Sequence, residues 1–226
     1  RSSSPPLLFF SIITLSSCGA AVVPTANHEF NFRGCIDSSP TADTGVDGSG
    51  ITAMAMNGAT CSSEGMLFDG ADDYVQATPW QFGGEPLTVE ALVRFSALTK
   101  DARIFDFNNG NVEDNYEVFL SNKGSSMGMQ WSVTNGNTAS KTGKIDETKR
   151  EIFPQNEWSH VVLVFKGTKV FFYHNGANQT VGTGQQPALA TRSFHELGRS
   201  ATGDNNFNGT LAYVRFWHGT AIDWRQ

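Results

Sequence analysis

Residues 158–176 read WSHVVLVFKGTKVFFYHNG, and this segment carries the firmest structural signal in the chain. Two runs rich in β-branched and aromatic residues flank Lys166-Gly167-Thr168, a pattern that predicts a β-hairpin. The first run is apolar on both of its alternating faces, which predicts a strand covered on both sides. Asn175-Gly176 accepts positive φ and predicts a second tight turn into a third strand at 179–181. The stretch therefore predicts a three-stranded antiparallel meander.

The rest of the chain repeats this pattern of short extended runs separated by turn formers. The clearest alternation is LTVEALVRF at 87–95, which places five apolar side chains on one face and Glu90 and Arg94 on the other. The mixed run KTGKIDETKR at 141–150 is interpreted as a solvated loop. Further strands are predicted at residues 28–33, 51–56, 65–68, 74–77, 103–107, 116–120, 127–133, 194–197 and 211–217. Because no segment shows helical periodicity with caps, we expect an all-β antiparallel sandwich.

Composition limits the function classes. The chain has 226 residues, enough for one domain, which we place at residues 27–226. Its 17 Phe and 23 Gly, with only 17% charged residues, favour strands and turns over long surface helices. The formal charge of -6 argues against nucleic acid as a partner, because nucleic-acid binders usually carry a basic stripe.

Residues 1–26 are interpreted as a secretory leader that is incomplete at its N terminus. The run LLFFSIITL at 7–15 has the length of a signal-peptide core and is too short to span a bilayer, so no membrane span is expected. Small residues at Cys18-Gly19-Ala20 and Pro24-Thr25-Ala26 offer cleavage sites. Two alternatives stay open. In the first, residues 7–15 form a buried first strand. In the second, residues 15–18 form a bacterial lipoprotein box that leaves Cys18 lipidated.

Cysteine usage fits an oxidising compartment. With Cys18 assigned to the leader, Cys35 and Cys61 remain and can pair. The loop between them is rich in Ser, Thr, Gly and Asp, and cross-linking it would stabilise the fold by ~3 kcal/mol in the chain-entropy model. The alternatives are two free thiols or, with no accompanying CxxC or histidine spacing, metal ligation.

An ordered set of segments carries a family resemblance: FNFRGC at 30–35, GMLFDGADDYV at 65–75, LTVEALVRF at 87–95, RIFDFNNG at 103–110, EWSHVVLVF and VFFYHNG within 157–176, and LGRS with FNGTLAYVRFWHG within 197–219. Together they resemble the laminin G-like branch of the concanavalin A-like lectin/glucanase superfamily. The resemblance implies an antiparallel jelly-roll β-sandwich with ligands on a concave face and rim loops. Relatives usually add a closing helix after the last strand, whereas this sequence stops at AIDWRQ, so we expect a truncated C terminus.

The glucanases of this superfamily share an E-x-D-x-E strand, whose period of two places three carboxylates on one face. This sequence has no such triplet. Its nearest candidate is residues 113–117, EDNYE, where Glu113 and Glu117 would lie ~13 Å apart along a strand, farther than either hydrolytic geometry allows. A nucleophilic site is not expected either, because the histidines lie inside predicted strands without a reactive cysteine context. The chain is therefore predicted not to be an enzyme.

The five histidines are expected to be buried and hydrogen-bonded. If the concave face holds a binding site, His160 is the histidine expected to take part in it. The five are His28, His160, His174, His195 and His218. Calcium is a candidate ligand because hard cations take several oxygen ligands from loops. By resemblance, Asp72, Asp73, Asp114 and Asn115 are the expected ligands, and no cofactor is otherwise required. The alternative is that these residues simply form turns.

Exposed aromatic rings can stack on the faces of sugars. Trp80, Trp131 and Trp217 are the candidates for this role, and the alternative is that all three are buried in the core. Two glycosylation sequons begin at Asn178 and Asn208. We expect a secreted, non-catalytic module that binds carbohydrate or an extracellular protein. Two alternatives remain: a degenerate glycoside hydrolase or lyase of the same fold, and a structural spacer in a larger extracellular protein.

Overall fold

The computed structural model describes residues 23–222, except 85, 110–115, 123–128, 136–140, 145–152, 185, 201–202 and 204. Within residues 116–122, 129–130, 141–144 and 179–181 it describes the backbone alone. Residues 1–22, including Cys18, lie outside this range, so the leader and its lipoprotein alternative stay predictions.

The described chain consists of β-strands and turns, with no helix. The strands are, in chain order, β1 (His28–Asn31), β2 (Thr41–Ala42), β3 (Thr52–Met56), β4 (Thr60–Cys61), β5 (Met66–Asp69), β6 (Tyr74–Ala77), β7 (Gln81–Phe82), β8 (Leu87–Ala97), β9 (Arg103–Asn108), β10 (Tyr116–Asn122), β11 (Met129–Asn135), β12 (Lys141–Lys144), β13 (Trp158–Lys166), β14 (Lys169–His174), β15 (Ala177–Thr183), β16 (Ala190–Thr191), β17 (Phe194–Leu197) and β18 (Asn208–His218).

Two eight-stranded antiparallel sheets pack face to face. The first sheet has the order β15-β14-β13-β8-β18-β5-β4, with β1 also paired to β18. The second sheet has the order β12-β11-β10-β9-β17-β6-β3-β2, and β7 pairs with β16 in a separate two-stranded ribbon. The predicted all-β antiparallel sandwich is confirmed.

The central meander forms as predicted. Strands β13 and β14 pair from Val161↔His174 to Lys166↔Lys169, which leaves a two-residue turn at residues 167–168. Asn175 and Gly176 both have positive φ, 49° and 77°, and lead into β15. On β13, Val161 and its alternate neighbours join the main core, while Val162 and Val164 pack with Tyr173 on the opposite face. The double covering explains why this strand is apolar on both faces.

Phenylalanine side chains fill much of the space between the two main sheets. On β8 the five predicted inward residues, Leu87, Val89, Ala91, Val93 and Phe95, are all buried in this core. Phe82, Phe105, Phe107 and Phe216 meet edge to face or tilted, with ring centroids 5.0–6.4 Å apart. Such geometries are favoured for aromatic pairs and position both sheets rigidly.

A β-bulge decides which side chains of β18 face outward. Its register against β8 shifts between Leu211 and Tyr213, so Ala212 is the extra residue. Before the bulge Leu211 faces the core, and after it Val214 and Phe216 do. A bulge re-aims the strand that follows it. It thereby turns Tyr213, Arg215 and Trp217 onto the outer face of the first sheet.

Two local expectations are refined. Strands β5 and β6 flank residues 69–73, DGADD, which we name the acidic turn; the two strands lie in different sheets, so this turn crosses the edge of the sandwich. The interpretation of residues 141–150 as a loop is wrong at its start, because Lys141–Lys144 forms β12 and pairs with β11. Pairing with the preceding strand, β11, overrides the polar composition there. The predicted disulfide between Cys35 and Cys61 is confirmed.

Candidate functional site

A polar row crosses the outer face of the first sheet. Cross-strand register aligns Val162 of β13 with Glu90 of β8, Glu90 with Arg215 of β18, and Arg215 with Glu29 of β1. Directly opposed residues of antiparallel strands share a face, so the side chains of these four residues are neighbours. The row joins parts of the chain up to 186 residues apart, between Glu29 and Arg215.

Glu90 is the centre of this row. Only 4% of the residue is exposed. One carboxylate oxygen lies 2.7 Å from His160 Nε2 and accepts a bond of 3.1 Å from the Tyr213 hydroxyl. The other accepts from Arg215 at 3.3 Å, and a second nitrogen of Arg215 donates to Glu29 at 2.8 Å. We name this set, Glu29, Glu90, His160, Tyr213 and Arg215, the Glu90 network.

The network changes the acidity of its members. Burial disfavours the charge on Glu90, but the His160 hydrogen bond and the Arg215 charge outweigh it and hold the pKa of this carboxyl below its usual value. Burial and the negative charge of Glu90 raise the pKa of Tyr213 to about 12. At neutral pH Glu90 is therefore a fixed acceptor and Tyr213 a fixed donor.

A cavity of about 390 Å³ opens beside the network. It is lined by Glu29, Glu90, Arg215 and Trp217 of the sheet and by residues 23–26. Trp217 donates from Nε1 to the carbonyl of Pro24 at 2.8 Å and packs with Ala26 and Ile222. The N-terminal segment therefore forms one wall of the cavity.

Two aromatic rings that sequence reasoning did not select lie half-buried on this face. Arg215 lies 4.4 Å and Arg33 5.8 Å from the ring centre of Tyr213, and Arg94 lies 4.8 Å from that of Trp158. Arg94 also pairs with exposed Glu64 at 2.6 Å. The sequence carried a weak signal for Trp158, because it lies two residues before His160 and so faces the same side of β13. The outward position of Tyr213 could not be predicted, because it depends on the bulge at Ala212.

The three tryptophans predicted as ligand platforms are all buried. Trp131 is 0%, Trp217 3% and Trp80 6% exposed. Trp80 contacts His28 and His195, with ring centroids 4.5 and 4.2 Å away. Two of them still line cavities: Trp217 lines the cavity beside the Glu90 network, and Trp80 lines a second cavity with His28 and His218. Their burial agrees with the alternative that these rings pack inside the protein instead of forming exposed sugar platforms.

The acidic turn brings three carboxylates together. Oxygens of Asp69, Asp72 and Asp73 all lie within 4.8 Å of one another. Burial and the charges of Asp69 and Asp72 raise the pKa of Asp73. Two of these carboxylates also hold the turn, because Asp73 accepts from the amide of Asp69 at 2.8 Å and Asp69 from that of Ala71 at 2.7 Å. Predicted ligands Asp114 and Asn115 lie outside the described residues.

A second carboxylate pair lies on the outer face of the second sheet. Asp106 of β9 and Glu196 of β17 are register partners and are no more than 1% exposed. Asp106 lies 3.5 Å from Arg103 Nε and accepts from Asn108 at 3.2 Å, and Glu196 pairs with Arg199. The sequence candidates Glu113 and Asp114 are outside the described range, as is the side chain of Glu117.

The histidines divide into two kinds. His28 and His160 each bond a carboxylate, as expected of structural histidines. His195 is fully buried against Phe107, and both of its ring nitrogens have no hydrogen-bond partner in the described part of the chain. Burial holds the pKa of His195 well below its usual value. The sequence had no signal for this unpaired state.

The two sequons differ in their surroundings. Asn178 is exposed on β15. Asn208 is half-buried, and its amide nitrogen donates to the carbonyl of Asp69 at 2.7 Å. Glycosylation of either stays a prediction.

Comparison with known proteins agrees with this architecture. A laminin G family model, described as concanavalin A-like lectin/glucanases superfamily, matches residues 69–222. The comparison with curated proteins gives no match. Across the described residues there is no helix with the length and apolarity that crossing a bilayer requires.

Several solved structures share the fold at low identity. Domain 4 of the extracellular arabinanase AbnA from Geobacillus stearothermophilus, solved with arabinotriose, is 15% identical with a TM-score of 0.61, over 89% of this chain and 96% of that one. Trypanosoma rangeli sialidase is 16% identical, TM-score 0.61, over 96% and 34%. The botulinum neurotoxin serotype G binding domain is 13% identical, TM-score 0.62, over 88% and 49%. The chain thus spans about a third of the sialidase and half of the toxin domain.

Proposed function

Because the chain belongs to the laminin G branch of the concanavalin A-like lectin/glucanases superfamily, we propose that it is a non-catalytic extracellular recognition module whose ligand is a carbohydrate. The observation that carries this proposal is the Glu90 network beside its cavity. Fixed donors and acceptors there meet partly exposed aromatic rings on one face, the combination that orients hydroxyl groups and stacks on sugar rings.

The polar groups are held in place before any ligand arrives. Arg215 is clamped between Glu29 and Glu90, and Tyr213 is fixed by its bond to Glu90. Preorganised groups lose little conformational freedom on binding, which favours a weakly hydrophobic ligand such as a sugar. Domain 4 of AbnA, which has the same fold, was solved with arabinotriose. It supports a search among oligosaccharides without naming the ligand here.

The proposal is tested by titrating the chain against an immobilised glycan panel. For any sugar that binds, Arg215→Ala and Tyr213→Ala should each weaken affinity about tenfold or more, equivalent to 1.4 kcal/mol. Lys166→Ala, an exposed side chain at the end of β13, is the matched control and should leave affinity unchanged. Equal binding by all variants would move the site elsewhere, and capture of an extracellular protein without any glycan would favour the protein-ligand alternative.

Calcium assistance is proposed at the acidic turn. Oxygens within 4.8 Å of one another suit a hard cation, and a bound ion would offset the repulsion that helps raise the pKa of Asp73. Thermal melts in EDTA and then in millimolar calcium test it, because a native-state ligand at 100 times its dissociation constant stabilises by about 2.7 kcal/mol. The gain should vanish in Asp72→Ala. An unshifted melt would return these residues to ordinary turn formers.

An enzyme of the same fold is the second candidate, and the Asp106 and Glu196 pair favours it specifically. Cross-strand partners place their Cβ atoms about 5 Å apart, from which two carboxyl groups can reach the roughly 5 Å separation of a retaining glycosidase pair. Against it, both side chains are buried and each is held by an arginine. Hydrolysis of laminarin-like or alginate-like polymers that is lost in Glu90→Gln, Glu117→Gln or Glu196→Gln would replace the binding proposal.

Secretion is part of the proposal, supported by the disulfide and the family. The remaining alternative is a structural spacer in a larger extracellular protein. A full-length protein with further domains, together with no ligand in the glycan panel, would favour that alternative.

A further inference from the structure

A second cavity, of about 370 Å³, opens at the end of the sandwich where β1 begins and β18 ends. His28, the first residue of β1, and His218, the last of β18, both line it. Trp80 and Asp47 line it as well. This cavity is separate from the Glu90 network, because both histidines share the inward parity of their strands and the network faces outward.

His28 is held with one ring nitrogen ready to accept. Its Nδ1 lies 2.7 Å from a carboxylate oxygen of Asp43, and since a carboxylate can only accept, Nδ1 carries the hydrogen. The other oxygen of Asp43 accepts from the amides of Glu29 and Gly45, at 2.8 and 2.9 Å. A Cβ at position 48 would come within 2.4 Å of this carboxylate, so Gly48 leaves room for it. The lone pair of His28 is therefore on Nε2.

His218 provides a second available nitrogen. Its Nε2 is buried without a hydrogen-bond partner in the described part of the chain, and its Nδ1 lies 3.5 Å from the carbonyl of Gly83. A neutral imidazole with an unpaired nitrogen is costly to bury unless something binds it.

The two rings have the spacing that one metal ion would need. Their centroids are 5.6 Å apart and their planes meet at 84°. Two imidazoles bound to one tetrahedral ion at ordinary metal–nitrogen distances have centroids about 5.2 Å apart. A metal-bound histidine typically donates its other N–H to a carboxylate, as His28 does to Asp43.

We propose that His28 and His218 form a binding site for a divalent transition-metal ion of the Zn²⁺ class, coordinated through both Nε2 atoms. The remaining positions face the cavity, where water completes the coordination. Nitrogen ligands distinguish this site from the oxygen-only acidic turn, and imidazole suits zinc, copper and nickel rather than calcium. The site is independent of the sugar-binding proposal.

Isothermal titration of the chain with Zn²⁺, and separately with Ca²⁺, tests the site. We expect one Zn²⁺ per chain, a rise in melting temperature and no competition from Ca²⁺. His218→Gln and His28→Gln should each weaken Zn²⁺ binding at least tenfold, and Asp43→Asn, which leaves both ligands in place, by about 10–100-fold. The visible spectrum of bound Co²⁺ should lose its tetrahedral intensity in the same variants.

The matched control is His174→Gln. His174 also has a buried Nε2 that no described residue bonds, but β14 lies three strands from β18, roughly 14 Å across the sheet. Its loss should leave Zn²⁺ affinity unchanged. Because His28 is buried and its replacement could prevent folding, the more exposed His218 decides the test, with circular dichroism as the check. No stoichiometric binding, or binding unchanged in His218→Gln, would overturn the proposal.

Discussion

Replacing Glu90 with glutamine tests how the Glu90 network contributes to stability. Glu90 is 4% exposed and meets His160, Tyr213 and Arg215 at 2.7, 3.1 and 3.3 Å. A hydrogen bond to a charged group contributes about 1.5–3 kcal/mol, but these partners are partly exposed and regain water. We therefore expect a net loss of about 2–3 kcal/mol at pH 7, or about 4–12 °C in melting temperature for a chain of this size.

Urea unfolding of Glu90→Gln and of the parent chain measures this loss, and its pH dependence checks the cause. The folded pKa of Glu90 is lowered, so its charge stabilises the fold above the usual glutamate pKa, and this contribution is lost as pH falls through the folded pKa. The difference between the two chains should therefore close in acid. Glu64→Gln, which breaks the exposed pair with Arg94, should cost less than about 1 kcal/mol. If Glu90→Gln lowered the free energy of unfolding no more than Glu64→Gln does, the Glu90 network would contribute no more to stability than an exposed ion pair.

Three further predictions concern stability. His195 is neutral when folded and protonates near pH 6.5 when unfolded, so the free energy of unfolding should fall below that pH, by up to about 1.4 kcal/mol per pH unit for this group; acid unfolding of His195→Leu should show a shallower slope. Replacing Cys35 and Cys61 together with alanine should cost about 3 kcal/mol in urea unfolding, and an unchanged midpoint would contradict the entropic account. Removing residues 23–26 should cost about 2 kcal/mol and increase the fluorescence response of Trp217 to quenchers, because the segment covers that ring; an unaltered response would show that the cover does not matter.

Much of the candidate site could not be predicted because it depends on register between distant strands. Alternation along β8 placed Glu90 opposite the core correctly, but nothing in that segment indicated Arg215 or Tyr213 as its partners. The shift at Ala212 decides their face, and a bulge of one residue leaves no reliable mark in the sequence. The tryptophans were selected from the sequence but are buried. Large aromatic rings suit both a core and a sugar platform, so residue type alone could not distinguish the two roles.

The fold class, the meander, the faces of β8 and the cysteine pair could be predicted from the sequence, because side-chain period, turn chemistry and cysteine number can be read without knowing which strands pair. Which side chains meet depends on how the strands pack: Glu29 contacts Arg215, Asp43 contacts His28, and His28 contacts His218. A period of two assigns a side chain to a face of its own strand and carries no information about the neighbouring strand. Pairing across 190 residues, as between His28 and His218, is set by packing the whole sandwich.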